Sequence, residues 1–238
     1  MKNYLIILLL LTLASCKKDE EEAPKADDYL TLNLSFRVGV NVLQFDTLLY
    51  TNAAGNEYSV SRLQFYLSNI QLIRTDSSLV DISDYSYVDA REPSTLKISN
   101  KIPDTGDFIG MKMQVGLDSI HNITNALPAT IENINMEWPV PMGGGYHFMK
   151  FEGKYRDGLD EPGYAMHLGK NPYLVQAVTW KTFNLSAGNN AMNLVMDLNE
   201  WYDHPQVYDF NVDGNYSMGV GAAMTKLSQN GTDIFTLQ

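Results

Sequence analysis

Side chains that can bind a transition metal are concentrated in residues 136–169. This stretch contains Trp138 and two of the four histidines of the chain, His147 and His167. It also contains four of the eleven methionines: Met136, Met142, Met149 and Met166. Imidazole nitrogen and thioether sulfur together suit a soft or borderline metal such as copper. An indole has no ordinary place in a metal shell unless it is chemically altered, so the residues indicate a metal site in which the role of Trp138 is open.

Histidine is scarce in this chain, so the placement of each one is informative. His147 and His167 fall in consecutive predicted strands, and a hairpin brings such strands side by side. His121 precedes them in a segment without clear periodicity. We therefore predict His121, His147 and His167 as metal ligands, against the alternative that each is an isolated, hydrogen-bonded residue and that the methionines fill the core. His204, which precedes a proline, is predicted to lie on the surface.

Hydrophobic alternation with a period of two predicts that the chain is built mainly from β-strands. In residues 30–40, six apolar side chains alternate with small or polar ones. Residues 63–72 alternate with a change of phase at Ser68 and Asn69, which predicts a β-bulge; a helix through these residues is the competing interpretation. Further strands are predicted at 58–60, 109–115, 146–152, 164–168, 173–180 and 192–198, with edge strands and loops between 76 and 106.

The remaining segments carry weaker structural signals. Residues 118–135 show no period and contain Pro128, which predicts a long loop that covers or carries a site. Residues 199–204 and 218–227 are predicted to form short helices. Strand spacing predicts that His147 and Met149 share one side of a sheet. These elements together predict an all-β fold, an antiparallel β-sandwich with minor helix.

Length and charge narrow the classes of partner. The chain has 238 residues, and no second composition regime appears after residue 29, which predicts one domain over residues 29–238. Its formal net charge is −11 and its pI is about 4.7. Nucleic acids and anionic membrane surfaces attract clusters of Lys and Arg, so the sequence predicts no nucleic-acid partner.

The N-terminus has the pattern of a lipoprotein signal. A polar start at Lys2 and Asn3 precedes an apolar stretch, residues 4–13, that is too short to span a bilayer. Leu-Ala-Ser-Cys at 13–16 resembles a bacterial lipobox, so we predict a signal peptide over 1–15 and lipidation of Cys16; an ordinary signal peptide is the alternative. Residues 16–28 are a predicted flexible acidic tether, and their charge resembles surface-export signals of Bacteroidetes-type lipoproteins. We therefore expect the protein in the cell envelope, anchored by lipid to the outer membrane.

Signals for catalysis and for other ligands are weak. Cys16 is the only cysteine, no Gly-x-Ser-x-Gly sequence is present, and no carboxylate pair stands out by its spacing among the 28 acids. The chain is therefore not predicted to be an enzyme. The glycines at 143–145 open no predicted helix, which favours a tight turn over a phosphate cradle. Residues 209–214 match the start of a calcium loop, but Val220 stands where a bidentate glutamate is needed, so an Asx-rich turn is favoured.

Six short segments, in order along the chain, carry a family resemblance. They are residues 59–72 (Ser-Val-x-Arg-Leu-Gln-Phe-Tyr-Leu-Ser-Asn-Ile-x-Leu), 116–119 (Gly-Leu-Asp-Ser), 136–138 (Met-x-Trp), 145–153 (Gly-Tyr-His-Phe-Met-Lys-Phe-Glu-Gly), 167–169 (His-Leu-Gly) and 230–235 (Asn-x-x-Asp-x-Phe). Together they resemble the MbnP-like family, extracytoplasmic copper-binding proteins first associated with methanobactin operons. The resemblance covers nearly the whole mature chain, and it depends on the order and spacing of the segments.

The resemblance implies a copper site and a covalent change. In copper-binding members, a partner protein similar to dihaem peroxidases oxidises a tryptophan to kynurenine, which yields an aryl amine and carbonyl groups. By position in the motifs, Trp138 is the implied site of oxidation and His167 the best-matched copper ligand. His121 lies near the place of a ligand histidine in some members. The family commonly shows a second tryptophan where Val140 stands here, and His147 is a candidate to take the place of a missing ligand.

Two other classes of function stay open at the level of sequence. The first is a metal-free surface module that binds a glycan or a protein, with stacking faces supplied by tyrosines and by Trp138, Trp180 and Trp201. This class predicts exposed aromatic side chains in a row. The second is a hydrolase, for which no acid pair can be singled out. The copper-protein interpretation predicts instead one copper ion per chain.

Overall fold

The computed structural model describes residues 27–238, which form two packed β-sheets and two short α-helices. The strands are β1 Tyr29–Val38, β2 Asn41–Val42, β3 Tyr50–Thr51, β4 Glu57–Tyr58, β5 Arg62–Arg74, β6 Leu79–Asp89, β7 Lys97–Lys101, β8 Gly106–Val115, β9 His147–Lys154, β10 Gly163–Gly169, β11 Val175–Leu185, β12 Asn189–Asp197 and β13 Phe235–Leu237. The helices are α1 Ile131–Asn135 and α2 Gly221–Asn230, and short 3-10 turns lie at Pro93–Thr95, Val140–Met142, Asn171–Tyr173 and Leu198–Tyr202.

Two predictions about the N-terminus fall outside this part of the chain. The signal peptide over 1–15 and the lipidated Cys16, with most of the tether, precede the described residues, whereas β1 begins at Tyr29. Between residues 27 and 238, no helix is long and apolar enough to cross a membrane.

The strands pair into a five-stranded and a six-stranded sheet. The first has the order β13-β12-β1-β2, with β7 also paired to β1; the second has the order β10-β9-β5-β8-β11, with β6 paired to β5. Strands β3 and β4 form a separate small hairpin. The predicted all-β sandwich is confirmed. Its named strands pair antiparallel except β1 and β12, which run parallel.

Strand β1 shows how the sequence pattern produces the core. Its apolar residues at every second position are all buried: Leu30, Leu32, Leu34, Phe36 and Val38. Burial of each such side chain contributes about 1.5–3 kcal/mol, which fixes this face of the strand toward the second sheet. The last apolar residue of the predicted strand, Val40, lies beyond the end of β1 and is exposed.

Strand β5 is the centre of the six-stranded sheet. It is one continuous strand of 13 residues, so the helical alternative for residues 63–72 is wrong. The predicted bulge is confirmed: the register with β8 shifts between Ser68 and Gln71, and Asn69 adopts a φ of 46°. The extra residue allows β5 to keep apolar side chains on the core face on both sides of the bulge.

The segment from 118 to 146 covers the outer face of the six-stranded sheet. It includes α1, which is capped by the preceding residue Thr130, whose hydroxyl accepts a hydrogen bond from the Asn133 N–H. Asn133 then accepts a 2.7 Å hydrogen bond from the Tyr66 hydroxyl of β5. This agrees with the predicted covering segment over 118–135, except that its last five residues form the helix α1, which was not predicted. The two predicted short helices are found as the 3-10 turn Leu198–Tyr202 and as α2.

Candidate metal centre

A bulge in the pairing of β9 with β10 decides where His147 points. Leu168 lies opposite Met149. The next residue, Gly169, lies opposite His147, so Phe148 is an extra residue in β9. Because side chains alternate along a strand, this extra residue turns His147 onto the face opposite Met149. The prediction that His147 and Met149 share one side of the sheet is therefore wrong.

The bulge brings two of the predicted ligands and the tryptophan together on the outer face of the sheet. The ring centroids of His147 and His167 are 5.0 Å apart, and the ring planes are nearly perpendicular at 87°. The Trp138 ring lies 4.7 Å from the His147 ring. Both Trp138 and His147 are buried. We call Trp138, His147 and His167 the His–Trp cluster.

The indole of Trp138 is seated on a glycine. A Cβ atom at Gly169 would lie 2.4 Å from Cε3 of Trp138, so any larger residue would displace the ring. The backbone N–H of Trp138 donates a 2.9 Å hydrogen bond to the Gly145 carbonyl. Gly145 is the last of three glycines with positive φ, which confirms the predicted tight turn at 143–145. The Lys170 ammonium lies 6.0 Å from the centre of the indole.

Hydrogen bonds fix which nitrogen of each imidazole carries the proton. His147 Nδ1 lies 3.1 Å from the Met136 carbonyl, which can only accept, so Nδ1 donates and Nε2 of the neutral ring keeps a lone pair. His167 Nε2 donates to Glu152 Oε1 over 2.9 Å, which leaves the lone pair on Nδ1. Within residues 27–238, that Nδ1 atom is buried and has no hydrogen-bond partner. A carboxylate behind a histidine is the usual arrangement around metal-binding imidazoles.

Charges around the cluster favour a neutral His147 and an ionised Glu152. Burial, followed by the charges of Lys150 and His167, lowers the pKa of His147 to about 3. Burial raises the pKa of Glu152, but the hydrogen bond from His167 and the charge of Arg62 outweigh this effect and leave the pKa below its ordinary value. Arg62 Nη1 donates to the same carboxylate oxygen over 3.0 Å.

The depressed pKa of His147 predicts an acid-sensitive fold. In the unfolded chain His147 has its ordinary pKa of 6.5, so below that pH the unfolded chain binds a proton that the folded chain does not bind. The unfolding free energy therefore decreases as the pH falls. Between about pH 6.5 and about pH 4.5, we expect this group to lower the unfolding free energy of the metal-free protein by about 2 kcal/mol. Urea unfolding at a series of pH values measures the effect.

Two variants separate the contribution of His147 from those of other groups. His147→Asn should lose this part of the pH dependence, whereas His204→Asn should keep it, because the His204 side chain is 69% exposed. An unchanged pH dependence in His147→Asn would contradict the assignment. The exposure of His204, whose Nδ1 lies 3.2 Å from Asp233, confirms its predicted surface position.

His121 does not join the His–Trp cluster in this structure. Its Nδ1 lies 2.9 Å from Asp118 Oδ1, and its ring lies 5.2 Å from the Tyr85 ring. In the part of the chain that the structure describes, no group of three or more His, Cys, Asp or Glu side chains has the spacing of a metal site. The structure thus brings together two of the three predicted ligands.

The turn at 209–214 is held by the chain's own lysine. The Lys226 ammonium lies 2.7 Å from each carboxylate oxygen of Asp213 and 2.9 Å from the Val207 carbonyl. Asp209 accepts a 2.9 Å hydrogen bond from the Asn211 N–H, which is the geometry of an Asx turn. The favoured interpretation of this segment as an Asx-rich turn is confirmed.

The donor set of the His–Trp cluster suits copper better than a hard cation. Two imidazoles with fixed tautomers offer nitrogen lone pairs, and one of these nitrogens is buried without a partner among residues 27–238. Copper accepts imidazole nitrogen readily, whereas Mg²⁺ and Ca²⁺ prefer oxygen. Fold and site together define a β-sandwich protein with an imidazole–indole cluster beneath a covering segment.

Comparison with known proteins places this architecture in a family. The sequence model of the MbnP family matches residues 27–219, so the chain belongs to the MbnP family, as its motifs predicted. Among solved structures, the chain is similar to MbnP from Methylosinus trichosporium, with a TM-score of 0.59 and 12% identity over 88% of this chain and 97% of that chain. At this identity the likeness concerns the fold. No curated protein matches the sequence.

Proposed function

We propose that this protein is a lipid-anchored copper-binding protein of the cell envelope. The observation that carries the proposal is the buried Nδ1 of His167, which has no partner among the described residues and lies in a ring 5.0 Å from the neutral ring of His147. A buried polar atom without a partner is unfavourable by about 1–3 kcal/mol, and a metal ion relieves that cost. Membership of the MbnP family supports the same function.

The residues in and around the cluster have two different roles in the proposed copper site. His147 and His167 supply nitrogen, while the Met136 carbonyl and the Glu152 carboxylate hold the two rings in the required tautomers. A bound copper ion supplies a redox-active centre. His121, the third predicted ligand, is held by Asp118 and Tyr85 and joins only if the covering segment shifts.

Trp138 is the proposed site of oxidation. Its place in the family motif and its contact with His147 support conversion to kynurenine by a partner protein similar to dihaem peroxidases. The indole Nε1 is buried and has no hydrogen-bond partner within residues 27–238. The conversion cleaves the C2–C3 bond of the indole and releases C2 as formate, with the oxidising equivalents supplied through the haem partner. Kynurenine would present an aryl amine and a ketone carbonyl beside the two imidazoles, which adds ligand types that the indole lacks.

Copper titration of the mature, metal-free chain tests the binding function. We expect about one tightly held copper ion per chain after dialysis, because the imidazole pair occurs once. Metal analysis of the dialysed protein gives the stoichiometry. Copper that dialysis removes completely would contradict the proposal.

The alternative of a metal-free surface module predicted stacking faces from tyrosines and from the three tryptophans, and burial removes most of the tryptophan contribution. Of the three tryptophans, all within the described residues, Trp138 and Trp201 are buried and Trp180 alone is exposed, at 69%. The tryptophans therefore do not form an exposed row within residues 27–238, whereas some of the tyrosines that this alternative also invokes are exposed, such as Tyr29 and Tyr216. The copper interpretation is the stronger one because the His–Trp cluster and family membership both support it.

A further inference from the structure

A polar groove lies between free edges of the two sheets, and none of its lining residues belongs to the His–Trp cluster. Among the described strands, β6 pairs only with β5 and β7 pairs only with β1, so each presents an edge without a strand partner in residues 27–238. The groove between them has a volume of about 550 Å³, is open to solvent, and is bordered by the 3-10 turn Pro93–Thr95 and by residues of α1. Pockets for small ligands have volumes of about 300–1,000 Å³.

One side of the groove is aromatic and held in place. Tyr85 and Tyr87 stand two residues apart on β6, so both project from the same face. Each packs edge-on against the buried Tyr66, with centroid distances of 6.3 and 6.0 Å. Tyr66 is itself fixed by its 2.7 Å hydrogen bond to Asn133. The two half-buried rings therefore form a rigid surface on which a flat, C–H-rich ligand face can stack.

The rest of the lining is rich in uncharged hydrogen-bonding groups. Side-chain hydroxyls and amides predominate, and the charged lining residues are one lysine and one glutamate, Lys97 and Glu132. An anion would require an excess of cationic groups and a cation an excess of acids, so the balance favours a neutral ligand. The many hydroxyls favour a ligand that can both donate and accept hydrogen bonds.

One amide in the groove has no partner. The Nδ2 atom of Asn100 on β7 is buried and lacks a hydrogen-bond acceptor among residues 27–238. Buried donors are normally paired. The Nδ2 atom is covered in this structure, so a turn of the Asn100 side chain into the groove is what would give this donor a ligand acceptor. A sugar hydroxyl oxygen is such an acceptor.

We propose that this groove binds a neutral saccharide of about one or two rings. Tyr85 and Tyr87 stack against the ring face, and the Asn100 side chain turns into the groove to donate to a hydroxyl oxygen. The groove shares no residue with the His–Trp cluster. Because Tyr85 contacts His121 and the covering segment supplies part of the lining, saccharide binding is measured on the metal-free chain.

Isothermal titration of the mature chain with neutral disaccharides of glucose, galactose, mannose and N-acetylglucosamine tests the proposal. We expect at least one to bind with a Kd of about 1 mM or lower. Tyr87→Ala and Asn100→Ala should each weaken that binding about tenfold, while Tyr87→Phe should retain most of it. Asn100→Ala should leave the unfolding midpoint unchanged, because its Nδ2 has no protein partner to lose.

Trp180→Ala is the matched control, since it removes an exposed aromatic side chain that does not line the groove. Its affinity should equal that of the unaltered chain. Two outcomes would overturn the proposal: no disaccharide binds at concentrations up to about 10 mM, or a disaccharide binds Asn100→Ala and Tyr87→Ala as tightly as the unaltered chain.

Discussion

The variant His167→Ala is expected to retain much less than one copper ion per chain after dialysis. The substitution removes the buried Nδ1 that has no hydrogen-bond partner in the described part of the chain, and it leaves His147 as the only imidazole of the cluster. Copper is retained through dialysis because two imidazoles bind it at the same time, and a single imidazole cannot do this. Copper analysis of the dialysed variant, compared with the unaltered chain, measures the loss. Unchanged copper content in His167→Ala would remove this residue from the site.

Two further histidine variants locate the rest of the shell. His204→Ala is the control, because this exposed histidine lies outside the cluster, and it should retain the full copper content. His121→Ala decides whether the third predicted ligand takes part. A site built on His147 and His167 alone survives that change. Loss of copper in His121→Ala would instead mean that the covering segment moves to close the site.

Gly169→Ala is expected to displace the indole of Trp138 and to destabilise the fold. The added methyl group would lie 2.4 Å from Cε3 and 2.6 Å from Cζ3 of the ring, well inside van der Waals contact. Insertion of one carbon into a close-packed site typically costs about 1–3 kcal/mol. Urea unfolding measures the loss of stability, and the Trp138 contribution to fluorescence reports the movement of the ring.

Gly163→Ala provides a matched control on the same strand, β10. A Cβ atom there has its nearest neighbour at 3.7 Å, which is ordinary contact. We expect its unfolding free energy to stay within about 0.5 kcal/mol of the unaltered chain. Equal effects of the two substitutions would show that Gly169 is not needed to seat Trp138.

The fold could be predicted from the sequence because strands such as β1 bury one face, which gives a hydrophobic pattern with a period of two. In β1 the period of two is unbroken, and in β5 the phase change at Ser68 and Asn69 marked the bulge correctly. The parallel pairing of β1 with β12 was not predicted, because alternation within a strand carries no information about the direction of its neighbour.

The candidate site was accessible only in part. The chain order of His147 and His167 suggested a hairpin, and their rings do meet. The face of His147 was predicted wrongly because both faces of β9 are buried at this point, so the extra residue Phe148 leaves no mark in the hydrophobic pattern. The roles of Glu152 and Gly169 depend on cross-strand neighbours, which local spacing does not reveal.

The most direct test of the central claim is intact mass together with metal analysis of the protein purified from its native host. The account predicts a mass change that maps to the peptide containing Trp138 and about one copper ion per chain. Copper without the mass change would keep the histidine site and remove the oxidation from the account. An unaltered Trp138 together with no copper would contradict the claim that this protein is a copper-binding member of its family.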